Sequence, residues 1–252
     1  MTTPRFANIL LAGPCNLRCP HCIGKNLGEP FPANLDRFPL KNFDRFTALL
    51  RELGIRQVSL TGTDTDPLLY RHLEALLTSL RQAVPGVQVS LHTNGVLALA
   101  RLPIVNTFDR VALSLPSLRP ATCKTMTGSG RVLDLDTIAA GVTIPLKLSL
   151  LLTPDNIDQV DQVIAKCSEL HVKRLVLRQL YGAEQLLDPL SGRLPVRTFG
   201  GQPVFDVNGV EVTVWDFASA QLDCVNLYSD GTLSQHYLLQ PPSFAEAVAH
   251  AA

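Results

Sequence analysis

The chain reads as an α/β protein built on a parallel sheet, and two observations lead there. Between residues 6 and 178, short β-like runs alternate six times with amphipathic stretches, the pattern of βαβ units joined by right-handed crossovers. After Arg178 the alternation stops and the chain becomes β-like around tight-turn sequences. Six units are too few for a closed eight-unit barrel, and the remaining residues do not supply two more.

The elements follow in order. Phe6–Leu11 is the first expected strand and delivers the chain to a cysteine-bearing loop, which continues through a Pro-rich segment over 29–39 to a helix near Phe43–Leu53. Gln57–Leu60 is the second strand, followed by a helix from Pro67 to about Gln82. Val87–Leu91 is the third, followed by a weaker helix over Val96–Val105. Arg110–Leu115 is the fourth, with helical pieces at Arg119–Met126 and Asp136–Gly141. Leu146–Leu152 is the fifth. Helical spacing of Ile157, Val160, Val163, Ile164 and Leu170 predicts a helix over Ile157–Leu170. Leu175–Leu177 is the sixth strand.

Residues 181–203 show no clear period and read as a linker. Asn208-Gly209 between Val204–Val207 and Val210–Trp215 is a strong hairpin signal. A second hairpin is expected from Val225–Tyr228, a Ser229-Asp230-Gly231 turn and Thr232–Leu239. The end, Pro241–Ala252, reads as a short surface helix or a frayed tail. Two regions result: 1–180, the repeating α/β part, and 181–252, a linker with a β-rich cap.

Hydrophobic residues make up 46% of the 252-residue chain and charged residues 17%, which suits a substantial core and excludes intrinsic disorder. Lys plus Arg equals Asp plus Glu at 22 each, so no protein-wide basic field exists for nucleic acid. The apolar run near the N-terminus is too short for a signal-peptide core or a membrane span. Six cysteines, half of them in one motif, fit a reducing compartment, and a cytoplasmic protein without membrane contact is expected.

That motif, Cys-Asn-Leu-Arg-Cys-Pro-His-Cys, places Cys15, Cys19 and Cys22 at C-x3-C-x2-C spacing. A zinc site asks for four protein ligands, and no fourth Cys or metal-spaced His pair follows; His21 would have to turn the same way as its neighbour Cys22 to serve. A [4Fe–4S] cluster normally takes four cysteines, so three leave one iron open for chemistry.

In these residues the chain resembles the radical S-adenosylmethionine (radical SAM) family, whose signature is C-x3-C-x-Φ-C, with His21 here at the usually aromatic position. The resemblance implies a partial (β/α)6 TIM-like barrel with a small C-terminal β-hairpin extension closing its open side. It also implies a [4Fe–4S] cluster on Cys15, Cys19 and Cys22, with S-adenosylmethionine on the open iron. The activity it implies is reductive cleavage of that cofactor to a 5′-deoxyadenosyl radical, which takes hydrogen from a small-molecule or peptide substrate. An electron donor such as flavodoxin or ferredoxin is the implied partner. An RNA-modifying radical enzyme is one alternative, and a non-catalytic iron–sulfur or metal-binding module is another.

Ligands in parallel α/β folds bind at the carboxyl ends of the strands. The second strand ends Gly62-Thr63-Asp64 where the family has a Gly-Gly-Glu-like motif that holds the methionine amino group. Asp64 reads equally as loop chemistry, and Asp66, before Pro67, reads as a helix N-cap. The third strand ends His92-Thr93-Asn94-Gly95; Thr93 and Asn94 resemble the family's ribose-contacting edge, although Asn-Gly also makes a tight turn. Ser114 resembles the family's cofactor-facing serine, with Pro116 where an Asp is usual. Ser149 and Arg178 complete the candidate set, Arg178 either pairing a carboxylate or standing at the surface.

His72 and His171 read as solvated residues beside helices. Cys167 fits the buried face of a helix, and Cys123 sits in an expected loop. The segment from Asp223 to Leu233 loosely resembles the C-terminal region of the molybdenum-cofactor GTP cyclase family, in which cysteines near an Asp-Gly turn hold a second cluster. Only Cys224 and, nearby, His236 stand here. Core packing for Cys224 and a strand-face position for His236 are the expectation, with no second cluster.

Overall fold

The computed structural model describes residues 6–27, 31–220 and 222–235. Six strands of one sheet follow the expected order: β1 (Phe6–Leu11), β2 (Gln57–Gly62), β3 (Gln88–Thr93), β4 (Arg110–Ser114), β5 (Leu146–Leu151) and β6 (Arg174–Arg178). Between them lie the helices α1 (Phe43–Glu52), α2 (Leu73–Ala83), α3 (Leu102–Val105), α4 (Pro120–Thr127), α5 (Leu135–Gly141) and α6 (Val160–Glu169). Each strand from β1 to β6 pairs in parallel with the next. The sheet does not close on itself, so the architecture is a partial barrel.

The C-terminal strands extend the sheet. β8 (Gln202–Val207) and β9 (Val210–Trp215) form the Asn-Gly hairpin, with Asn208 at φ 55° and Gly209 at φ 76°, the geometry that matches the twist of paired strands. β9 then pairs in parallel with β6. β10 (Cys224–Leu227) pairs in parallel with β1 and antiparallel with β11 (Leu233–Ser234). The two hairpins therefore extend opposite edges of the sheet, and Trp215 and Phe217 from one side pack with Cys224 from the other. Within the expected linker, β7 (Arg197–Phe199) adds an antiparallel edge strand to β8; three exposed residues are too few to show a period. Residues 236–252, with the expected tail, the end of the second hairpin and His236, lie outside the described residues.

Alternation along each strand divides the molecule. Ile9, Leu60 and Leu91 face the helices and pack with Phe46 and Leu50 of α1 and with Leu76 and Leu80 of α2. Leu148, Leu150, Leu175 and Leu177 do the same against Val163, Ile164 and Cys167 of α6. The intervening positions, among them Asn8, Ser59, His92, Lys147 and Ser149, therefore face the lumen. Buried polar groups there find partners: the Asn8 side-chain amide donates to Asn226 Oδ1 at 2.7 Å, linking β1 to β10.

The helix expected from Pro67 starts later. Pro67–Leu69 makes a single 3-10 turn, and Tyr70 then takes an extended conformation. Its ring is wholly buried and its hydroxyl donates to the Arg37 carbonyl at 2.7 Å, so burying the aromatic interrupts the helix until Leu73. Ile157–Gln159 likewise forms a 3-10 turn ahead of α6.

Leu150→Ala, at a fully buried strand position, is expected to cost about 2–5 kcal/mol through the cavity it leaves. Phe199→Ser, on an exposed edge, should stay within about 0.5 kcal/mol. Urea unfolding followed by circular dichroism measures both.

Candidate cofactor site

The cysteine loop leaves β1 and is tied down on two sides. The Gly13 amide donates to Asp64 Oδ1 at 3.1 Å and the Thr65 hydroxyl to the Pro14 carbonyl at 2.8 Å, holding the loop to the end of β2. On the other side, the Arg18 amide donates to the Thr127 carbonyl of α4 at 2.9 Å. Cys15, Cys19 and Cys22 are partly buried free thiols, and the Cys22 thiol lies 3.5 Å from the Thr63 carbonyl. His21 is exposed between them.

Burial pushes the Cys19 thiol up to about 11, and the nearby Cys22 and Cys15 sulfurs add to the rise; burial raises Cys15 as well. Thiols whose ionisation is opposed in this way are donors suited to a cationic centre, which would take the place of the protons. Among the described residues no three such side chains converge on one point as ligands of a single ion do. Thiolate sulfurs are the donors that an iron–sulfur cluster takes.

The end of β2 is shaped by absent side chains. A Cβ on Gly62 would stand 2.0 Å from the Thr65 carbonyl oxygen, and one on Gly24 would stand 2.2 Å from the Thr63 carbonyl oxygen. Both glycines allow backbones to approach where any other residue would collide. Thr63 is buried, with its hydroxyl 3.2 Å from the Leu11 carbonyl and 3.0 Å from Asp64 Oδ1. The exposed Asp64 carboxylate thus anchors the cysteine loop locally.

Asp66 does more than the capping read from the sequence. It does accept from the Leu68 amide at 2.9 Å as an N-cap with Pro at the first position. It also accepts from the Asn94 amide at 2.6 Å and the Thr93 hydroxyl at 2.8 Å. Burial raises its carboxyl pKa, against which these three donors pull. One carboxylate therefore joins the ends of β2 and β3. Asn94 continues the chain of contacts: its amide nitrogen donates to Asn16 Oδ1 at 2.7 Å and lies 3.9 Å from the Cys15 sulfur. Its Oδ1 accepts from the Val96 amide at 3.0 Å, so the turn reading and the site reading hold together.

Cysteine loop, Gly62–Asp64 and Thr93–Asn94 are thus brought to one place. Ser114 and Ser149 sit opposite one another in register on β4 and β5, the first exposed and the second buried. Arg178 lines an internal cavity of about 120 Å³ together with His92, Asn8 and Ser59, so it belongs to the lumen and not to the outer surface. These three residues lie three to five strands along the sheet from β1. Lys147 was missed, although its position two residues before Ser149 on an apolar strand places it on the lumen face.

Other thiols lie elsewhere. Cys123 is buried on α4, not in a loop. Its sulfur lies 3.4 Å from the Ser117 carbonyl. Cys167 is fully buried on α6, and Cys224 is buried beside Trp215 and Phe217. His171 is exposed, whereas His72 is partly buried at the start of α2 with its Nε2 3.1 Å from the Asp36 carbonyl.

Asp66→Ala would leave the buried Leu68 and Asn94 amides without their acceptor. A loss of about 1–3 kcal/mol in unfolding free energy is expected, measured by thermal and urea denaturation of the protein.

Comparison with known proteins bears on the family and the fold. Residues 10–178 match the family model described as Radical SAM superfamily. The GTP 3′,8-cyclase of Mycobacterium ulcerans is 34% identical over 187 residues, covering 68% of this chain and 49% of the cyclase. A probable GTP 3′,8-cyclase of Sulfurisphaera tokodaii is 31% identical over 212 residues, 72% of this chain and 66% of that protein. The chain spans about half the length of several of the cyclases it matches. In fold it is similar to Streptococcus suis SuiB bound to S-adenosylmethionine, with a TM-score of 0.56 at 19% identity over 73% of this chain and 42% of SuiB. It is also similar to anSMEcpe with bound AdoMet, with a TM-score of 0.53 at 17% identity over 76% of this chain and 54% of that one. With three cysteines on a pinned loop, a partial barrel beneath them and a family match running from β1 to β6, this chain belongs to the radical SAM superfamily.

Proposed function

We propose that the protein cleaves S-adenosylmethionine reductively and passes the resulting radical to a substrate held in the barrel lumen. The observation that carries this reading is the hydrogen bond from the Asn94 side chain to Asn16, which ties the edge of β3 to the cysteine loop. Cys15, Cys19 and Cys22 would hold a [4Fe–4S] cluster, with His21 beside them. The chemistry such a cluster supplies when bound is one-electron cleavage of S-adenosylmethionine to methionine and a 5′-deoxyadenosyl radical. The chain's own residues do the rest: they bind, orient and exclude water.

Gly62, Thr63 and Asp64 would present backbone groups to the methionyl amine. Thr93, Asn94 and Ser114 would serve the ribose edge, although the Thr93 hydroxyl is already engaged by Asp66. Ser149 and Arg178 would face the cofactor or substrate from the opposite wall, the guanidinium offering a bidentate partner for a carboxylate. The electron would come from a small reductant such as flavodoxin or ferredoxin. No described helix is long and apolar enough to cross a membrane.

The relatives' name supplies one substrate to try, GTP. The C-terminal features argue for a different outcome, because Cys224 is packed in the core without a second thiol from its own hairpin among the described residues. We read the protein as a single-cluster enzyme acting on a small-molecule or peptide substrate.

Anaerobically reconstituted protein should carry about four irons per chain, all lost when Cys15, Cys19 and Cys22 are changed to Ala. Dithionite and S-adenosylmethionine should yield 5′-deoxyadenosine, detected by mass spectrometry, and the triple variant should yield none. A wild-type protein that matches the triple variant would remove the enzymatic reading. A reduced cluster whose EPR signal ignores S-adenosylmethionine would instead favour a metal-binding module. Strongly salt-dependent binding to tRNA would point to RNA modification. GTP consumption is the arm that tests cyclase activity.

Asn94→Ala should weaken S-adenosylmethionine binding about tenfold, the equivalent of one hydrogen bond. Equilibrium binding to the reconstituted, unreduced protein measures it.

A further inference from the structure

The base of the cysteine loop has a further tie beyond those from β2 and α4. Ala12 follows β1 and precedes Gly13-Pro14-Cys15. Asn34 binds both of its backbone groups: the Asn34 amide donates to the Ala12 carbonyl at 3.0 Å, and the Asn34 Oδ1 accepts from the Ala12 amide at 3.0 Å. Asn34 is only 4% exposed, so water competes little for these bonds.

Residues 31–42 around Asn34 form no helix or strand, and such a segment keeps one shape only where other parts of the protein grip it. The turn between β10 and β11 supplies three grips. The Phe31 and Tyr228 rings stack at 4.5 Å with 11° between their planes. The Ser229 hydroxyl donates to the Pro32 carbonyl at 2.7 Å, and the Asn42 side-chain amide donates to the Gly231 carbonyl at 2.8 Å. The turn is itself braced, its Gly231 amide donating to the Tyr228 carbonyl at 2.9 Å and the Thr232 amide to Asp230 Oδ1 at 2.8 Å. A hairpin that only lengthened the sheet would need none of the three grips, since β10 already pairs with β1 and β11.

We propose that Asn34 is a positioning residue for the cysteine loop and that the Tyr228–Gly231 turn sets its place, so that the C-terminal hairpin governs how Cys15, Cys19 and Cys22 are presented. The assignment rests on the reading of these cysteines as cluster ligands and adds what fixes them. The turn acts through Asn34 and Ala12. A cluster held by three sulfurs registers a change in their placing, because its potential and spectrum follow ligand geometry and the hydrogen bonds around the sulfurs.

The test compares Tyr228→Ala, Asn34→Ala, the double variant and Tyr228→Phe, the last keeping a ring to stack on Phe31. Hydrogen exchange of the reconstituted, unreduced protein, read by mass spectrometry, reports local opening over residues 13–22, beyond the amide that Asn34 itself binds. Each single Ala variant should raise exchange there about tenfold, the equivalent of one hydrogen bond, and leave β5 and β6 at wild-type protection. Tyr228→Phe should behave as wild type. The EPR signal of the dithionite-reduced cluster should shift or broaden in both Ala variants and not in Tyr228→Phe.

The double variant identifies the route. If the turn works through Asn34, removing both side chains loosens the cysteine loop no more than Asn34→Ala alone. Additive effects would mean that the turn acts by another path, such as the pairing of β10 with β1, and would overturn the proposal. It also fails if either single Ala variant leaves exchange over residues 13–22 unchanged, or if that exchange rises only together with the whole sheet, which would make these residues ordinary contributors to stability. An EPR signal identical in all variants would show the sulfurs held without this tie, and ends it too. The exchange measurement needs neither turnover nor iron. Protein that takes up no cluster, yet loosens residues 13–22 in Asn34→Ala and Tyr228→Ala without additivity, would refute the enzymatic reading and support this one.

Discussion

A single buried carboxylate holds the mouth of this barrel together. Asp66 takes hydrogen bonds from the Leu68 amide, the Asn94 amide and the Thr93 hydroxyl. It fixes the end of β3 against the turn that follows β2. Asn94, so fixed, reaches Asn16 in the cysteine loop, and Asp64 holds the start of that loop through the Gly13 amide. Three segments far apart in the chain become one surface through two acidic side chains. Short, directional bonds suit this task better than apolar contact, which tolerates sliding.

The sheet separates two environments. Its outer face is a dense apolar core against the helices, and its inner face carries serines, asparagines, His92 and Lys147. Outer positions contribute stability in proportion to the apolar area they bury. Inner positions contribute little of that kind and include groups whose ionisation burial opposes. Such perturbed groups collect where a protein binds or transforms something. The edge strands β9 and β10 lengthen this inner face on both sides, so the C-terminal region contributes residues to the lumen, as Phe217 does in lining its cavity.

Much of this was legible beforehand where the evidence is local. Cys15, Cys19 and Cys22 lie within eight residues, and the Asn208-Gly209 turn needs only two residues with positive φ to declare a hairpin. The six strands of the barrel were legible because each is an apolar run bounded by turn residues. The place of the hairpins was not, since parallel pairing of β10 with β1 joins residues more than two hundred apart. Tyr70 likewise broke an expected helix for a reason outside its own neighbourhood, a buried pocket beside Arg37.

By itself, the order of residues determined the cysteine loop, the α/β succession and the residue types at the strand ends, because these depend on spacing along the chain. Tertiary structure decided which of those ends meet. Asp66 looked like a cap and became the tie between strands, and Arg178, open between surface and site, turned inward. Lys147, a lone cation on an apolar strand, came within reach of the charges of Arg178, Arg174 and Arg110. The physical reason is common to all three: hydrogen bonds and charge interactions act over a few ångströms in space. A linear sequence does not carry those distances until the chain has folded.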